Sequence, residues 1–154
     1  MGRSTLIFTL FLPVVLLASC SSDEEYDLPN RIEARTFTLN TPAGWTLRQD
    51  QGIDTYVGRI GGPEGDTIYF DQGYLSFGSL DNVKQNGQTL YFRRLTVNGI
   101  PAIIEKEART NDTGAVRLSI YLDAGDEQHL NRLYVFDPKN EPLLLQIFRT
   151  HRFL

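Results

Sequence analysis

From Arg35 onward, apolar and polar residues alternate with a period of two, and many apolar positions are aromatic or β-branched, as in half-buried strands. Arg35–Leu39 places Phe37 and Leu39 on one face; Asn40-Thr41-Pro42-Ala43-Gly44 breaks the run and Trp45–Arg48 resumes it. Asp50-Gln51-Gly52 reads as a turn, Ile53–Ile60 as a second run, residues 61–66 as a loop and Thr67–Asp71 as a third run. The stretch from Asp71 to Gly87 contains Gly73, Gly78 and Gly87 and keeps no regular period, so it is the natural place for a functional loop.

The clearest local signal follows. Thr89–Val97 and Ile100–Lys106 flank Asn98-Gly99, a dipeptide that tolerates the positive φ of a type I′ hairpin turn. Pro101 is expected on an edge or at a bulge, because it has no N–H for a ladder. Ala115–Leu122 and Leu130–Phe136 predict two more strands, joined by the polar link Asp123–His129. The period then changes. Pro142 in a first turn, Leu144, Ile147 and Phe148 at helical spacing, and Arg149, His151 and Arg152 at the end predict a helix over Asn140–Thr150.

The N-terminus has another character. Arg3 precedes a thirteen-residue apolar run, Leu6–Ala18, too short for a spanning helix but suited to a secretory signal. Leu17-Ala18-Ser19-Cys20 resembles the bacterial lipobox. That resemblance implies cleavage before Cys20 and acylation of the cysteine, and hence a membrane partner reached through lipidated Cys20. More than one acyl chain makes such anchoring stable. Ser21-Ser22-Asp23-Glu24-Glu25 resembles the surface-export signal of Bacteroidota lipoproteins, and Ser21 after the cysteine resembles outer-membrane sorting. The expected organisation is a signal peptide over residues 1–19, an acidic lipidated tether over 20–30 and one globular domain over 31–154.

Charge supports this division. The chain carries 15 basic and 19 acidic residues, for a formal net charge of −4. Asp23, Glu24, Glu25 and Asp27 all lie in the tether, which leaves the domain close to neutral. Nothing in that balance draws the protein to nucleic acid, which is not expected as a partner. Cys20 is the only cysteine, so an intrachain disulfide framework and a Cys-cluster metal site are both excluded.

Pro42-Ala43-Gly44-Trp45 followed by Gly52–Gly58, together with the closing Leu144–Phe153, resembles small secreted proteins of the PsbP/Mog1-like fold. The resemblance implies an antiparallel sheet covered by helices and a role in binding or assembly rather than one shared enzymatic site. The expected class is therefore α+β: a predominantly antiparallel sheet with a C-terminal helix packed on one face. The further helix that such folds carry could come only from Ser79–Gly87.

No catalytic residue is assigned. Ser76 lacks the Gly-x-Ser-x-Gly elbow, and the domain's two histidines, His129 and His151, lack the spacing of a zinc site. Asp123, Asp126 and Glu127 do not follow an EF-hand loop, and neither a metal nor a cofactor is expected. The candidate ligand-binding set is Trp45, Asp54, Tyr56, Tyr69, Asp71 and Tyr74, rings with nearby carboxylates in the glycine-rich part of the chain. The competing reading makes the rings core and the carboxylates turn caps. The expected function is a lipid-anchored envelope lipoprotein at the outer membrane, binding or assembling an envelope protein or carbohydrate. The alternative is a small hydrolase acting on envelope polymers or glycans.

Overall fold

The period-two runs form antiparallel strands in two sheets. The computed structural model describes residues 25–63, 65–109 and 114–154; the signal segment and Cys20 lie outside them. A three-stranded sheet has the order β1-β2-β10, from β1 (Asn30–Glu33), β2 (Phe37–Thr41) and β10 (Arg152–Phe153). The larger sheet has seven strands: β3 (Thr46–Gln49), β4 (Tyr56–Gly61), β5 (Thr67–Gln72), β6 (Thr89–Val97), β7 (Ile100–Ala108), β8 (Val116–Asp123) and β9 (Leu130–Phe136). Its order is β3-β4-β5-β9-β8-β7-β6. The chain therefore leaves β5 in mid-sheet, crosses to the far edge, and returns as the meander β6 to β9.

The inner face of the large sheet carries the fully buried Ile60, Ile68, Phe70, Leu118, Ile120 and Leu133. They belong to one core with Phe37 and Leu39 of β2 and with Leu144, Ile147 and Phe148 of α2 (Glu141–Arg149). Burying each such side chain contributes about 1.5–3 kcal/mol. Gly58 on β4 makes room for this packing: an added Cβ would lie 2.5 Å from Phe70 Cζ and 2.6 Å from the Arg48 carbonyl oxygen.

These observations correct the expected α+β class. The fold is predominantly antiparallel β, with two short helices among the described residues in place of a helical layer. Helix α2 starts where the periodicity put it, with Asn140 capping Leu143 N at 3.1 Å and Pro142 in the first turn. Nine residues cannot cover seven strands, however, and the remaining cover comes from β1, β2 and β10. The helix-covered sheet implied by the PsbP/Mog1-like resemblance is thus replaced by sheet on sheet. Between Ser79 and Gly87 only a 3-10 turn forms, Leu80–Asn82, preceded by the single helical turn α1 (Tyr74–Phe77).

In the segment before β1, Tyr26 and Leu28 pack on the domain while Asp27 and Pro29 between and after them are exposed. Tyr26 N donates to Gln146 Oε1 at 2.9 Å, Tyr26 Oη to Asn140 Oδ1 at 3.2 Å, and Leu28 packs on the core. The β6–β7 turn forms at Asn98 (φ 49°) and Gly99 (φ 88°). Pro101 departs from expectation, since β7 is an interior strand. Its ring is tolerated because pairing with β8 begins only at Ala102, so no ladder bond is lost on that side.

Candidate functional site

The six residues expected to bind ligand do not form one site. Trp45 is buried beside Tyr26 and Pro63 in a cavity of ≈ 230 Å³ on the core side, with Gly62 against its indole. Asp54 and Tyr56 line an open depression of ≈ 400 Å³ near Arg35, and the Tyr56 ring packs on Phe70 at 5.1 Å. Tyr74, on α1, is exposed and faces the Asp123–Glu127 loop across ≈ 220 Å³. Tyr69 and Asp71 share a different surface, the outer face of the seven-stranded sheet.

That face is unlike the core face. Register sets two rows of side chains across it. One runs Asp71, Arg132, Tyr121, Ile103; the next runs Tyr69, Tyr134, Ser119, Glu105. Tyr69 stacks on Tyr134 (5.4 Å, 18°), and Phe136 packs against both at 5.7 and 5.4 Å. The Arg132 guanidinium lies over the rings of Tyr121 and Tyr134, at 5.1 and 4.9 Å. The chain between β5 and β6 crosses the other half of this face. Its Leu80 and Val83 bury Ile103 and Tyr121 in a second small core.

A cleft of ≈ 340 Å³ opens where that crossing segment meets the sheet. Phe77, Val83 and Lys84 come from the segment; Glu105, Arg117 and Arg132 come from β7, β8 and β9. Glu105 is buried and accepts from the Tyr121 hydroxyl at 3.1 Å. Burial, and then the neighbouring Glu107, push the Glu105 carboxyl above its usual pKa. Burial likewise raises the hydroxyls of Tyr121 and Tyr134, so both remain donors at neutral pH. Glu107 pairs with Arg117. The buried Nε atoms of Arg117 and Arg132, the Ser119 hydroxyl and Asp71 Oδ1 have no hydrogen-bond partner among the described residues. All four lie on this face, and buried polar atoms are ordinarily satisfied by protein, water or ligand.

The residues weighed for nucleophilic chemistry are engaged elsewhere. The Ser76 hydroxyl donates to the Asp71 carbonyl at 2.9 Å, His129 Nδ1 contacts Asp126 at 2.8 Å, and His151 is buried against Phe37 and Asn131. Among the described residues no cluster of three or more His, Cys, Asp or Glu side chains is placed to hold a metal ion.

Sequence reasoning missed Glu105, Arg117, Tyr121, Arg132 and Tyr134. A signal was present in the second phase of the alternation. Glu105 and Glu107, Arg117, Ser119 and Tyr121, and Arg132 and Tyr134 occupy the positions between core residues. What periodicity lacked was the strand order that brings these three runs side by side.

No family model matches the chain, and no curated protein does. A solved chain from Bacteroides thetaiotaomicron VPI-5482, with a crystal structure at 1.50 Å, is similar at a TM-score of 0.46 and 12% identity. The match covers 77% of this chain and 45% of that one, so this chain spans under half the length of its structural neighbour.

Proposed function

We propose that this protein is a lipid-anchored binding module of the cell envelope, held at the outer membrane through acylated Cys20 and facing the periplasm or the exterior. The anchor is supported by Leu17-Ala18-Ser19-Cys20 at the end of a short apolar run. The binding role is supported by one observation above all. The half of the outer face that bears Tyr69, Arg132, Tyr134 and Phe136 lies outside the second core; its rings are partly exposed, Phe136 by 39%, with the Arg109 guanidinium 4.8 Å over the Phe136 ring. Adjacent rings with a cation between them offer apolar area and directed donors to a carbohydrate or an envelope protein.

The rival reading, a small hydrolase acting on envelope polymers, rests on Glu105. A buried carboxyl with a raised pKa in a cleft is a general-acid candidate. The two readings separate on Glu105→Gln, which abolishes turnover in a hydrolase and leaves ligand capture standing in a binding module.

Two experiments test the proposal. In fractionated cells the wild type sediments with outer membrane and Cys20→Ser is released; equal sedimentation of both removes the anchor. The double variant Tyr134→Ala/Phe136→Ala keeps its circular dichroism and loses capture of isolated envelope material. Unchanged capture removes the outer face as the binding surface.

A further inference from the structure

We infer that the cavity walled by Tyr26, Trp45 and Asp66 binds a quaternary ammonium group, the charged end of a choline-like molecule. The cavity lies on the core side of the seven-stranded sheet, apart from the outer face, so it is a second site and does not depend on the binding role proposed above.

A buried carboxylate sets the sign of the ligand's charge. Asp66 closes the β4–β5 turn, where its carbonyl accepts from Gly62 N at 2.9 Å, and it is only 5% exposed. Its Oδ1 accepts from Lys139 N at 3.1 Å. Its Oδ2 has no partner among the described residues, and Asp66 forms no ion pair with any of them. Asp66 lines the cavity, and so does the exposed Asp27. Among the described residues no Lys or Arg lines it. The Lys139 ammonium stands instead beside Gly65, 3.1 Å from where a Cβ on that residue would lie. A buried charge is costly until it is matched, so a cavity with a buried carboxylate and no cation in its lining favours a cationic ligand.

The walls indicate which cation. Tyr26, Pro42, Trp45, Pro63 and Leu143 make most of the lining carbon. Two of these are rings held in place by bonds elsewhere: Asn30 Nδ2 donates to the Trp45 carbonyl at 3.0 Å, and Tyr26 Oη to Asn140 Oδ1 at 3.2 Å. Aromatic rings near a carboxylate attract a cation through their quadrupoles. A primary ammonium brings three donors that each need an acceptor. Asn140 Oδ1 is already taken by Tyr26 Oη and by Leu143 N, which leaves the carboxylates of Asp66 and Asp27 for all three. A quaternary ammonium has no donor to satisfy. Its methyl groups rest on the rings and prolines, and Asp66 balances its charge. The size agrees, since ≈ 230 Å³ falls below the roughly 300–1,000 Å³ of drug-sized sites and suits a ligand of a few heavy atoms.

Trp45 is the only tryptophan of the chain, so its fluorescence reports on this cavity alone. The mature lipoprotein, solubilised in a non-ionic detergent, is titrated with three probes: choline, its neutral carbon isostere 3,3-dimethylbutan-1-ol, and ethanolamine. Choline is expected to change the Trp45 emission and to bind roughly tenfold more tightly than either of the others. Asp66→Asn is expected to weaken choline about tenfold and to leave the neutral isostere unaffected. Should Asp66→Asn fail to fold by circular dichroism, Tyr26→Leu serves in its place. That position is partly exposed and precedes both sheets, and loss of its ring is expected to weaken choline several-fold. Equal binding of the isostere overturns the cationic ligand, and ethanolamine binding as tightly as choline overturns the quaternary assignment. Choline that leaves Trp45 emission unchanged, that binds Tyr26→Leu as it binds the wild type, or that fails to bind at millimolar concentration overturns the site. None of these results touches envelope capture by the outer face, which the Tyr134→Ala/Phe136→Ala variant tests on its own.

Discussion

At the scale of single residues, two buried titratable groups act in opposite senses on stability. His151 stacks on Phe37 at 5.2 Å and accepts from Asn131 Nδ2 at 3.0 Å, which places its proton on Nδ1. Burial lowers its pKa from 6.5 to about 3. The unfolded chain therefore binds a proton that the folded chain refuses in the window between those values. Stability from this source is complete above pH 6.5 and falls as the pH drops toward 3, by up to about 1.4 kcal/mol per unit. Denaturant titrations at several pH values should show His151→Phe with a shallower acid loss than wild type. Parallel curves would remove His151 as a cause. Glu105 works in reverse. Its raised pKa makes the charged form costly once the pH exceeds the usual 4.5. Glu105→Gln keeps an acceptor for the Tyr121 hydroxyl, so at pH 7 it is expected to be as stable as wild type or more so. A clear loss in urea denaturation would show instead that the charge itself is needed on the face.

At the scale of elements, the ends of α2 are fixed by side chains remote in sequence. The β6–β7 turn residue Asn98 donates through Nδ2 to the Arg149 carbonyl at 3.1 Å and to the His151 carbonyl at 2.8 Å. These bonds satisfy oxygens that the end of a helix leaves open, and they align the chain entering β10. Asn98→Gly keeps the turn's positive φ and removes both bonds, so a loss of about 1–2 kcal/mol is expected, with faster amide exchange in β10. An unchanged melting temperature and unchanged exchange would contradict that role. The hairpin and the helix were legible in sequence because their signals are local: Asn-Gly for one, a cap, a proline and a 3.6-residue period for the other. β1 and β10 were not. They have four and two residues and exist through their pairing with β2, Ile32 opposite Leu39 and Phe153 opposite Phe37. That pairing is long-range and has no periodic signature of its own.

At the scale of the whole molecule, one topological step creates both the cover and the cleft. The chain leaves β5 and must reach the far edge before β6 begins, so the glycine-rich stretch is drawn across the outer face and closes half of it. The sequence marked that stretch as irregular; the strand order decides what lies beneath it. For the same reason Tyr69 and Asp71 could be picked from the sequence while their neighbours Tyr134 and Arg132, more than sixty residues later, could not. The two faces of the large sheet should then respond differently to truncation at adjacent positions of β9. Leu133 is fully buried in the core, and Leu133→Ala is expected to cost about 2–5 kcal/mol through lost transfer and a residual cavity. Tyr134 is partly exposed among Tyr69, Phe136 and Arg132, and Tyr134→Ala should cost only about 1 kcal/mol, the scale of its ring contacts. Urea denaturation of the two variants tests the contrast. If Tyr134→Ala destabilised the fold as much as Leu133→Ala, the outer face would be a second core whose rings are needed for folding, and the room it leaves for a ligand would vanish.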